Sequence, residues 1–239
     1  MKTSLIIPTL NEANCIARVL GEIPKNCVDE ILVVDGHSTD GTAEIVQKLG
    51  YRVIQQDDKG FGDAFASGAR QSTGDVLILM DGDGSHNPAD IPRLLDKYKE
   101  GYDYVMASRY LPDSHSEDDT TVRSFGNWFF TKLVNLIHGL NVSDSLYLFT
   151  AIDHNLYKQL NVQSKGFEYC MELIIKAHKM GARFAEVPSI ERKRFSDTPK
   201  TNALIHGWRI LLETLKRVPT APEPYSLHRP KSVSYKKTD

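Results

Sequence analysis

Residues 31–42 read ILVVDGHSTDGT, an apolar run that stops at Asp35 and gives way to a polar segment. The apolar run is rich in β-branched residues, which is typical of a buried strand. The polar residues predict a turn and then a helix that continues to Leu49, with Thr39 or Asp40 as its N-terminal cap. This segment therefore predicts a strand-to-helix unit with polar side chains where the strand ends.

The same unit recurs along the first half of the chain. Strands are predicted over 5–7, 31–34, 51–54, 75–80 and 104–107, and helices over 13–23, 42–49, 61–70 and 89–98. Strands separated by helices of this length form parallel βαβ units. The predicted fold class is therefore α/β, with a mostly parallel central sheet covered by helices on both faces.

The second half of the chain is less regular. Residues 111–121 are polar and acidic and predict a mobile loop. Three amphipathic helices and one strand are predicted beyond it, over 123–140, 166–180, 203–218 and 183–188. From residue 219 the chain is rich in proline, serine and lysine, which predicts a disordered tail over 219–239. We expect a single domain over 1–218, with a nucleotide-binding half over 1–110 and an acceptor half over 111–218.

Composition excludes several classes of protein. The formal net charge of −2 gives no bulk basicity, so we expect no nucleic-acid partner. Cys15, Cys27 and Cys170 are scattered, which suits free thiols in a reducing compartment rather than a metal site. No apolar run approaches the roughly 20 residues of a membrane-spanning helix, and no signal peptide is evident. We expect a cytoplasmic protein, or one that sits on the cytoplasmic face of a membrane without crossing it.

Polar clusters follow four of the predicted strands. They are Pro8-Thr9-Leu10-Asn11-Glu12, Asp35-Gly36-His37-Ser38, Asp81-Gly82-Asp83 and Ser108-Arg109. Ligands of open α/β sheets bind beyond the carboxyl ends of the strands. A single carboxylate at such a position is more often a helix cap. Four clusters at one edge of the sheet predict a binding site.

The turn Asp81-Gly82-Asp83 is the sharpest of these motifs. Two carboxylates one residue apart can reach the same divalent cation, and oxygen ligands suit Mg²⁺ or Mn²⁺. An isolated Asp-X-Asp is common, but the apolar run before this one would present it at the edge of the sheet. Ser85 or His86 could add a ligand or a water contact. The alternative for His86, a residue that only starts the next helix, stays open.

Taken in order, these motifs resemble the family-2 glycosyltransferases of the GT-A fold, through residues 8–12, 33–42 and 81–83. Later motifs look like the dolichol-phosphate mannose synthase branch, whose members are polyprenyl-phosphate glycosyltransferases. They lie at 107–110, 123–127, 142–144, 166–172 and 186–188, followed by Arg194 and Lys200 at that branch's spacing. The similarity covers residues 3 to about 202, and several motifs in order are far more specific than any one.

The resemblance implies a Rossmann-like sheet and metal-dependent, inverting transfer of a hexose, with mannose or glucose favoured. The donor would be a nucleotide-diphosphate sugar, GDP- or UDP-hexose, and the acceptor a polyprenyl or dolichyl phosphate at a membrane surface. Mg²⁺ or Mn²⁺ would be the cofactor. The implied nucleotide-binding residues are Pro8, Thr9, Asn11, Glu12, Asp35 and Asp81. The implied metal ligands are Asp81, Asp83 and Ser85, which stands where that branch often has glutamine. The implied catalytic residues are Asp81 and Asp83 with the phosphate-binding Arg109, Arg123, Arg194 and Lys200.

The sequence also departs from the family pattern. Gly36 replaces a second aspartate that is common after Asp35, so contacts to the base or ribose are expected to differ. Residues 144–149 lack the usual glycine and the arginine after it, and Asp197 and Pro199 stand where a glycine and a serine are usual. These later departures fall in the acceptor half, so we expect the acceptor site to differ most.

The acceptor half offers cations and no evident general base. The cations are Arg123, Lys132, Arg192, Lys193, Arg194 and Lys200. A lipid phosphate needs no base because its oxygen is already ionised, and arginine suits phosphate oxygens. Two alternatives remain: a solvated charge run at 192–194, and a saccharide or other soluble hydroxyl acceptor served by a catalytic carboxylate. The aromatic stripe of 123–140 is either core or a contact with a bilayer surface.

Two other functions bind nucleotides on such a sheet. A nucleotidyltransferase would begin with a glycine-rich loop bearing arginine and lysine after the first strand, and residues 8–12 lack all of these. A nucleotide-binding module without catalysis would not need both Asp81 and Asp83. The motifs therefore favour a glycosyltransferase over both.

Overall fold

The structure, a computed structural model, describes residues 1–195, 203–216 and 224–225. These residues form one domain around a seven-stranded sheet with the strand order β3-β2-β1-β4-β7-β5-β8. Its strands are β1 (Thr3–Thr9), β2 (Glu30–Asp35), β3 (Arg52–Gln55), β4 (Val76–Leu79), β5 (Tyr104–Ser108), β7 (Thr150–Asp153) and β8 (Phe184–Pro188). A separate two-stranded ladder joins β6 (His115–Ser116) to β9 (Ile190–Glu191).

The described helices cover both faces of this sheet. They are α1 (Ile16–Glu22), α2 (Thr42–Lys48), α3 (Phe61–Gln71), α4 (Ile91–Lys99), α5 (Thr121–His138), α6 (His154–Leu160), α7 (Tyr169–Lys179) and α8 (Ala203–Leu215). Alternate residues of a strand point to opposite faces, so Ile6 of β1 packs into the core beneath α3 and α7. Its neighbours Leu5 and Ile7 pack into the core beneath α1 and α4. The predicted two-sided α/β sheet is confirmed.

Sequence patterning missed β6, α6, β9 and, in the seven-stranded sheet, β7. Strand β7 lies between β4 and β5 and is antiparallel to both, with Thr150 opposite Leu79 and opposite Met106. Helix α6 follows it at once because the Asp153 side chain accepts hydrogen bonds from the backbone of Asn155 (2.9 Å) and Leu156 (3.0 Å). A strand of four residues with no turn before the helix gives no periodicity to detect.

Helix α5 begins at a capping threonine and ends at a glycine. Its cap is Thr120, whose hydroxyl accepts from the backbone of Arg123 at 3.3 Å. It ends before Gly139, which adopts a left-handed conformation with φ +75°. The preceding loop, predicted as mobile over 111–121, contains β6 and is therefore tied to β9.

Some predictions fall outside the described residues. Lys200, Asp197 and Pro199 lie there, and so does the predicted tail apart from Pro224 and Tyr225. Tyr225 is buried, and its hydroxyl donates to Asp153 at 2.6 Å. Among the described residues, no helix combines the length and the hydropathy needed to cross a bilayer.

Candidate active site

The carboxyl ends of β1, β2, β4 and β5 meet at one edge of the sheet, because these four strands run in the same direction. The four polar clusters predicted from sequence are therefore brought together. Strand β8 also ends at this edge and delivers the segment from Ile190 to Phe195 to it.

The loops after β1 and β2 brace each other. The Asn11 N–H donates to the Ser38 hydroxyl at 2.8 Å, and the Asn11 side-chain oxygen accepts from the Thr39 N–H at 2.9 Å. The Glu12 N–H donates to the Thr42 hydroxyl at 2.8 Å. Asn11 sits at φ +53°, a left-handed conformation that asparagine tolerates better than most residues. These bonds fix the backbone of the predicted nucleotide pocket.

Asp35 is buried at the end of β2 with one carboxylate oxygen satisfied and one not. Its Oδ2 accepts from the Ser38 N–H at 2.9 Å and from the Gln55 amide at 3.1 Å. Its Oδ1 is buried without a hydrogen-bond partner among the described residues. A buried acceptor without a partner is costly, so a ligand hydroxyl or N–H at this position would be stabilising.

Gly36 has a local steric reason for being a glycine. A Cβ there would lie 3.0 Å from Gln56 Oε1 and 3.2 Å from the Thr9 carbonyl oxygen, both tighter than ordinary contact. Thr9 is buried and Pro8 half-buried where β1 ends. Gln56 therefore occupies space next to Asp35 that an aspartate at position 36 would need.

The Asp81–Asp83 turn follows β4 and is shaped by two glycines. A Cβ at Gly82 would lie 2.7 Å from the Pro8 carbonyl oxygen. Gly84 adopts φ +85°, and a Cβ there would lie 2.3 Å from the Phe195 ring. The backbone of the segment after β9 also closes on the turn, because the Phe195 N–H donates to the Asp83 carbonyl at 2.9 Å. Only glycine permits this close approach.

His86 fixes the backbone of the Asp81–Asp83 turn. Its Nδ1 accepts from the Asp81 N–H at 3.1 Å, and its ring packs 4.5 Å from Tyr147 and 5.0 Å from Phe149, measured between centroids. Burial lowers the pKa of His86 to about 3, so the ring is neutral and its proton lies on Nε2. The start of the next helical turn is capped by Asn87 instead, whose side chain accepts from Ala89 at 3.2 Å.

The carboxylates of Asp81 and Asp83 are arranged in a way that would favour a bound cation. Asp81 Oδ1 is buried and has no partner in the described part of the chain. Burial raises the pKa of Asp81 well above its usual range, and the nearby charge of Asp83 raises it further. Ser85 donates its hydroxyl to Asp83 Oδ1 at 2.7 Å, which orients that carboxylate. A divalent ion would relieve the repulsion between the two aspartates.

The residues present fit a magnesium- or manganese-type site that a ligand completes. Within the described ranges, no cluster of three or more histidine, cysteine or acidic side chains surrounds one ion position. Mg²⁺ is commonly held by one or two carboxylates, with water and substrate phosphates as its remaining ligands. Asp81 and Asp83 match that pattern.

Arg123 and Arg194 converge on one side chain of the loop over the site. Asp118 Oδ2 accepts from Arg123 Nη1 at 3.0 Å and from Arg194 Nε at 3.0 Å. Arg194 Nε also lies 3.4 Å from Asp83 Oδ2. Two predicted phosphate-binding arginines therefore stand together, beside the predicted metal site.

Arg109 is placed differently from these two arginines. It is buried, and its guanidinium donates to Asp144 through Nε (2.7 Å) and Nη2 (3.0 Å) and to Glu191 through Nη1 (3.1 Å). Burial raises the pKa of Glu191, an effect that Arg109 opposes. As arranged here, Arg109 joins the end of β5 to the two segments that carry Asp144 and Glu191 rather than facing an open site. Sequence reasoning did not single out Asp144 or Glu191 as its partners.

The family assignment follows from a comparison of sequences. The profile of the family described as Glycosyl transferase family 2 matches residues 4–161, about two thirds of the chain. This chain belongs to glycosyl transferase family 2. The match includes all three motifs on which the family resemblance rested, and the predicted enzyme class is confirmed. The family assignment also argues against the two alternative functions, a nucleotidyltransferase and a nucleotide-binding module without catalysis.

Two relatives show which glycosyltransferases this chain is similar to. It is 31% identical over 219 residues to glycosyltransferase AglJ of Haloferax volcanii, covering 90% of this chain and 72% of that protein. It is 30% identical over 202 residues to the undecaprenyl-phosphate mannosyltransferase of Micrococcus luteus, covering 79% and 82%. The predicted resemblance to the polyprenyl-phosphate branch is confirmed.

A solved structure confirms the fold. Glucosyl-3-phosphoglycerate synthase from Mycobacterium tuberculosis, in complex with Mn²⁺, UDP and glucosyl-3-phosphoglycerate, superposes with a TM-score of 0.72. The match covers 90% of this glycosyltransferase and 78% of that chain, at 22% identity. At this identity the likeness shows the GT-A fold alone.

Proposed function

We propose that this glycosyltransferase transfers a hexose, with inversion, from a nucleotide-diphosphate sugar to a polyprenyl phosphate. The observation that carries the proposal is the convergence of Arg123 and Arg194 on a single oxygen of Asp118, beside Asp83. Two guanidinium groups that converge on one anionic oxygen could together contact the oxygens of a phosphate group. The name of the Micrococcus luteus relative, which specifies an undecaprenyl-phosphate acceptor and mannose, supports the same reading.

The donor nucleotide is proposed to bind over β1, β2 and β4. Asp35 Oδ1 would accept from the ribose or base, since that oxygen is buried and unpaired in the described residues. Pro8, Thr9, Asn11 and Glu12 would line the pocket whose backbone is braced by the loop after β2. UDP is bound by the Mycobacterium tuberculosis synthase; for this chain we propose a GDP- or UDP-hexose, with mannose or glucose as the sugar.

Asp81 and Asp83 would hold Mg²⁺ or Mn²⁺, and Ser85 would orient Asp83 or join the ligands. Bound there, the ion would neutralise the charge that develops on the departing diphosphate. The synthase of the same fold carries Mn²⁺ with UDP, and another complex of it carries Mg²⁺. His86 would keep the Asp81 backbone in place through its Nδ1.

The acceptor phosphate would attack the anomeric carbon from the side opposite the diphosphate. A bond forms between a phosphate oxygen and the anomeric carbon while the bond from that carbon to the diphosphate oxygen breaks, which inverts the configuration. No proton needs removal, because the phosphate oxygen is already ionised. Arg123 and Arg194, with the predicted Lys200, would hold the phosphates. Arg109 would position the acceptor half through Asp144 and Glu191 rather than contact substrate.

The loop 111–121 is proposed to act as a lid. In this loop, Asp118 accepts hydrogen bonds from both Arg123 and Arg194. A phosphate could therefore bind the two arginines only if Asp118 moves away. We expect hydrogen exchange across 111–121 to change when the donor nucleotide and Mn²⁺ bind together. Unchanged protection in every peptide of this loop would contradict a lid.

The acceptor is the feature to test first. A short-chain polyprenyl phosphate, the matching polyprenol and a simple sugar alcohol would be compared as acceptors, each with a panel of nucleotide sugars and Mn²⁺. We expect transfer to the phosphate alone. A hydroxyl acceptor would require a base, and Glu191, a buried carboxylate of the acceptor half, is already bonded to Arg109 and Ser116. Transfer to either hydroxyl compound at the rate of the phosphate would overturn the acceptor assignment and leave the family standing.

A further inference from the structure

Arg194 lies between two backbone hydrogen bonds that tie its segment to the turn after β4. The Arg192 N–H donates to the Ser85 carbonyl oxygen at 2.8 Å. The Phe195 N–H donates to the Asp83 carbonyl oxygen at 2.9 Å. The backbone of Arg194 is therefore held on both sides, and its guanidinium takes its position from this segment.

The Phe195 ring is the side-chain contact that seats the same segment. It packs on Gly84, where an added Cβ would lie 2.3 Å from the ring. Two guanidinium groups approach this ring: the Arg18 Cζ lies 3.7 Å from its centroid, and the Arg192 Cζ lies 5.2 Å from it. An arginine is attracted to an aromatic ring, but two positive charges at one ring repel each other. The arrangement therefore needs a negative charge beside the two arginines.

Glu22, the last residue of α1, supplies that charge. Its Oε1 accepts from Arg18 Nε at 2.9 Å, and its Oε2 accepts from Arg192 Nη1 at 2.7 Å. Each arginine is thus bonded to its own carboxylate oxygen. Arg192 also donates through Nη2 to the His86 carbonyl oxygen at 3.0 Å. Glu22 therefore links α1, the helix after the first loop of the predicted nucleotide pocket, to a segment that lies 170 residues further along the chain.

We propose that Glu22 is a positioning residue for sugar transfer. It keeps Arg18 and Arg192 at the Phe195 ring. The backbone of Arg194 then stays in place while the Arg194 side chain exchanges its carboxylate partner for a phosphate. Glu22 acts through these neighbours and not by contact with a substrate. This inference rests on the proposed function, because the phosphate-binding role of Arg194 belongs to that proposal.

Hydrogen exchange of the full chain without substrate tests the positioning directly. Glu22→Ala should speed exchange in a peptide covering 190–195 by about fivefold or more, because the two backbone hydrogen bonds of this segment lose their support. The matched control is Glu100→Ala, since Glu100 also lies at the C-terminal end of a helix, is exposed and pairs with Lys97 at 2.7 Å. Exchange over 190–195 should not change in the control. Thermal unfolding of both variants should stay near that of the wild type, because ion pairs of exposed or partly exposed side chains contribute little to stability.

A double-mutant cycle with Arg194 separates positioning from an independent role of Glu22. Glu22→Ala should lower kcat/KM for a short-chain polyprenyl phosphate about fivefold, while the affinity for nucleotide with Mn²⁺ changes by less than about twofold. In the Arg194→Ala background the same substitution should have no further effect, because Glu22 acts through Arg194. Glu22→Gln keeps the shape of the side chain and removes its charge, so its kcat/KM should lie between those of the wild type and Glu22→Ala.

The outcomes separate the positioning role from the proposed function. Unchanged exchange over 190–195 in Glu22→Ala would overturn the positioning role, whatever the acceptor is. Losses of transfer that add in the double variant would also overturn it, because Glu22 would then act apart from Arg194. Faster exchange together with wild-type transfer in Arg194→Ala would support the hold of Glu22 on the segment and overturn the proposed phosphate-binding role of Arg194.

Discussion

Two parts of the site are held together by different kinds of bond. We call the loops after β1, β2 and β4 the donor edge, and the residues around Arg123, Arg194 and Asp118 the acceptor edge, after their proposed roles. At the donor edge, Asp35 and Asn11 accept hydrogen bonds from the backbone N–H groups of Ser38 and Thr39 in the loop after β2. At the acceptor edge, Arg123 and Arg194 are bonded to Asp118, a side chain that a phosphate can replace. We therefore infer that the loops after β1 and β2 keep their shape without a ligand, whereas Arg123 and Arg194 would have to leave Asp118 to bind a phosphate.

The largest expected effect lies at the donor edge. Asp83→Ala should lower metal-dependent turnover by about 100-fold or more, because the diphosphate loses its bridging ion. The fold should persist, since Asp83 lies on a turn outside the core. Sugar transfer is measured as a function of Mn²⁺ concentration. The control is Asp57→Ala, because Asp57 is an exposed carboxylate that pairs with Arg70. Wild-type activity of the Asp83 variant at saturating Mn²⁺ would show that the metal assignment is wrong.

The next effect isolates the acceptor edge. Arg194→Ala should lower kcat/KM for polyprenyl phosphate at least about tenfold, because a charge-assisted bond to phosphate is lost. Binding of the nucleotide with metal should weaken much less. Lys193→Ala is the matched control, since Lys193 is the exposed neighbour on the same segment. Equal losses in nucleotide binding and in transfer would place Arg194 on the donor instead.

A smaller effect tests whether His86 positions the Asp81 backbone. In His86→Asn the amide oxygen can take the place of Nδ1, whereas in His86→Gln the amide reaches the position of Nε2. We expect the apparent Mn²⁺ affinity to fall about tenfold in the glutamine variant and to stay closer to wild type in the asparagine variant. Thermal unfolding of both variants separates this effect from lost packing. The same Mn²⁺ dependence in both would remove the positioning role.

The smallest effect concerns the exchange at Asp118. Asp118→Asn should release Arg123 and Arg194 and lower the KM for polyprenyl phosphate by up to about fivefold, the range of a partly exposed ion pair. Asp113→Asn is the control, because Asp113 is exposed on the same loop and asparagine also tolerates its positive φ. A KM for polyprenyl phosphate that rises in the Asp118 variant would mean that Asp118 supports the bound state.

The donor edge was predictable because its information is local. Each strand of the first half ends at polar residues that follow it directly in sequence, so the four clusters and their edge could be placed from periodicity. The partners of Arg109 were not predictable in this way, because Asp144 and Glu191 lie 35 and 82 residues further along the chain. Nothing in their spacing indicates a contact, and only the closure of the acceptor half brings them together.

The structure of the loop over 111–121 was only partly predictable for the same reason. The acidic composition of residues 111–121 suggested a mobile loop, but it did not reveal which acid would face the arginines. Strand β6 was missed because it is two residues long and pairs with β9, some 75 residues away. The roles of Asp81, Asp83, Ser85 and the arginines in binding remain predictions that the variants above can test.

The position of β7 has a consequence for how the chain folds. In the described sheet, β5 is hydrogen-bonded to β7 and β8, and β7 also completes the free edge of β4. Both β7 and β8 come from beyond residue 110, so the first half of the sequence cannot assemble its own last strand. A polypeptide ending at residue 110 would leave the hydrophobic edge of β4 open and β5 without a neighbour, which invites aggregation. We therefore expect the two halves, which are successive in sequence, to fold together once the late strands have been synthesised.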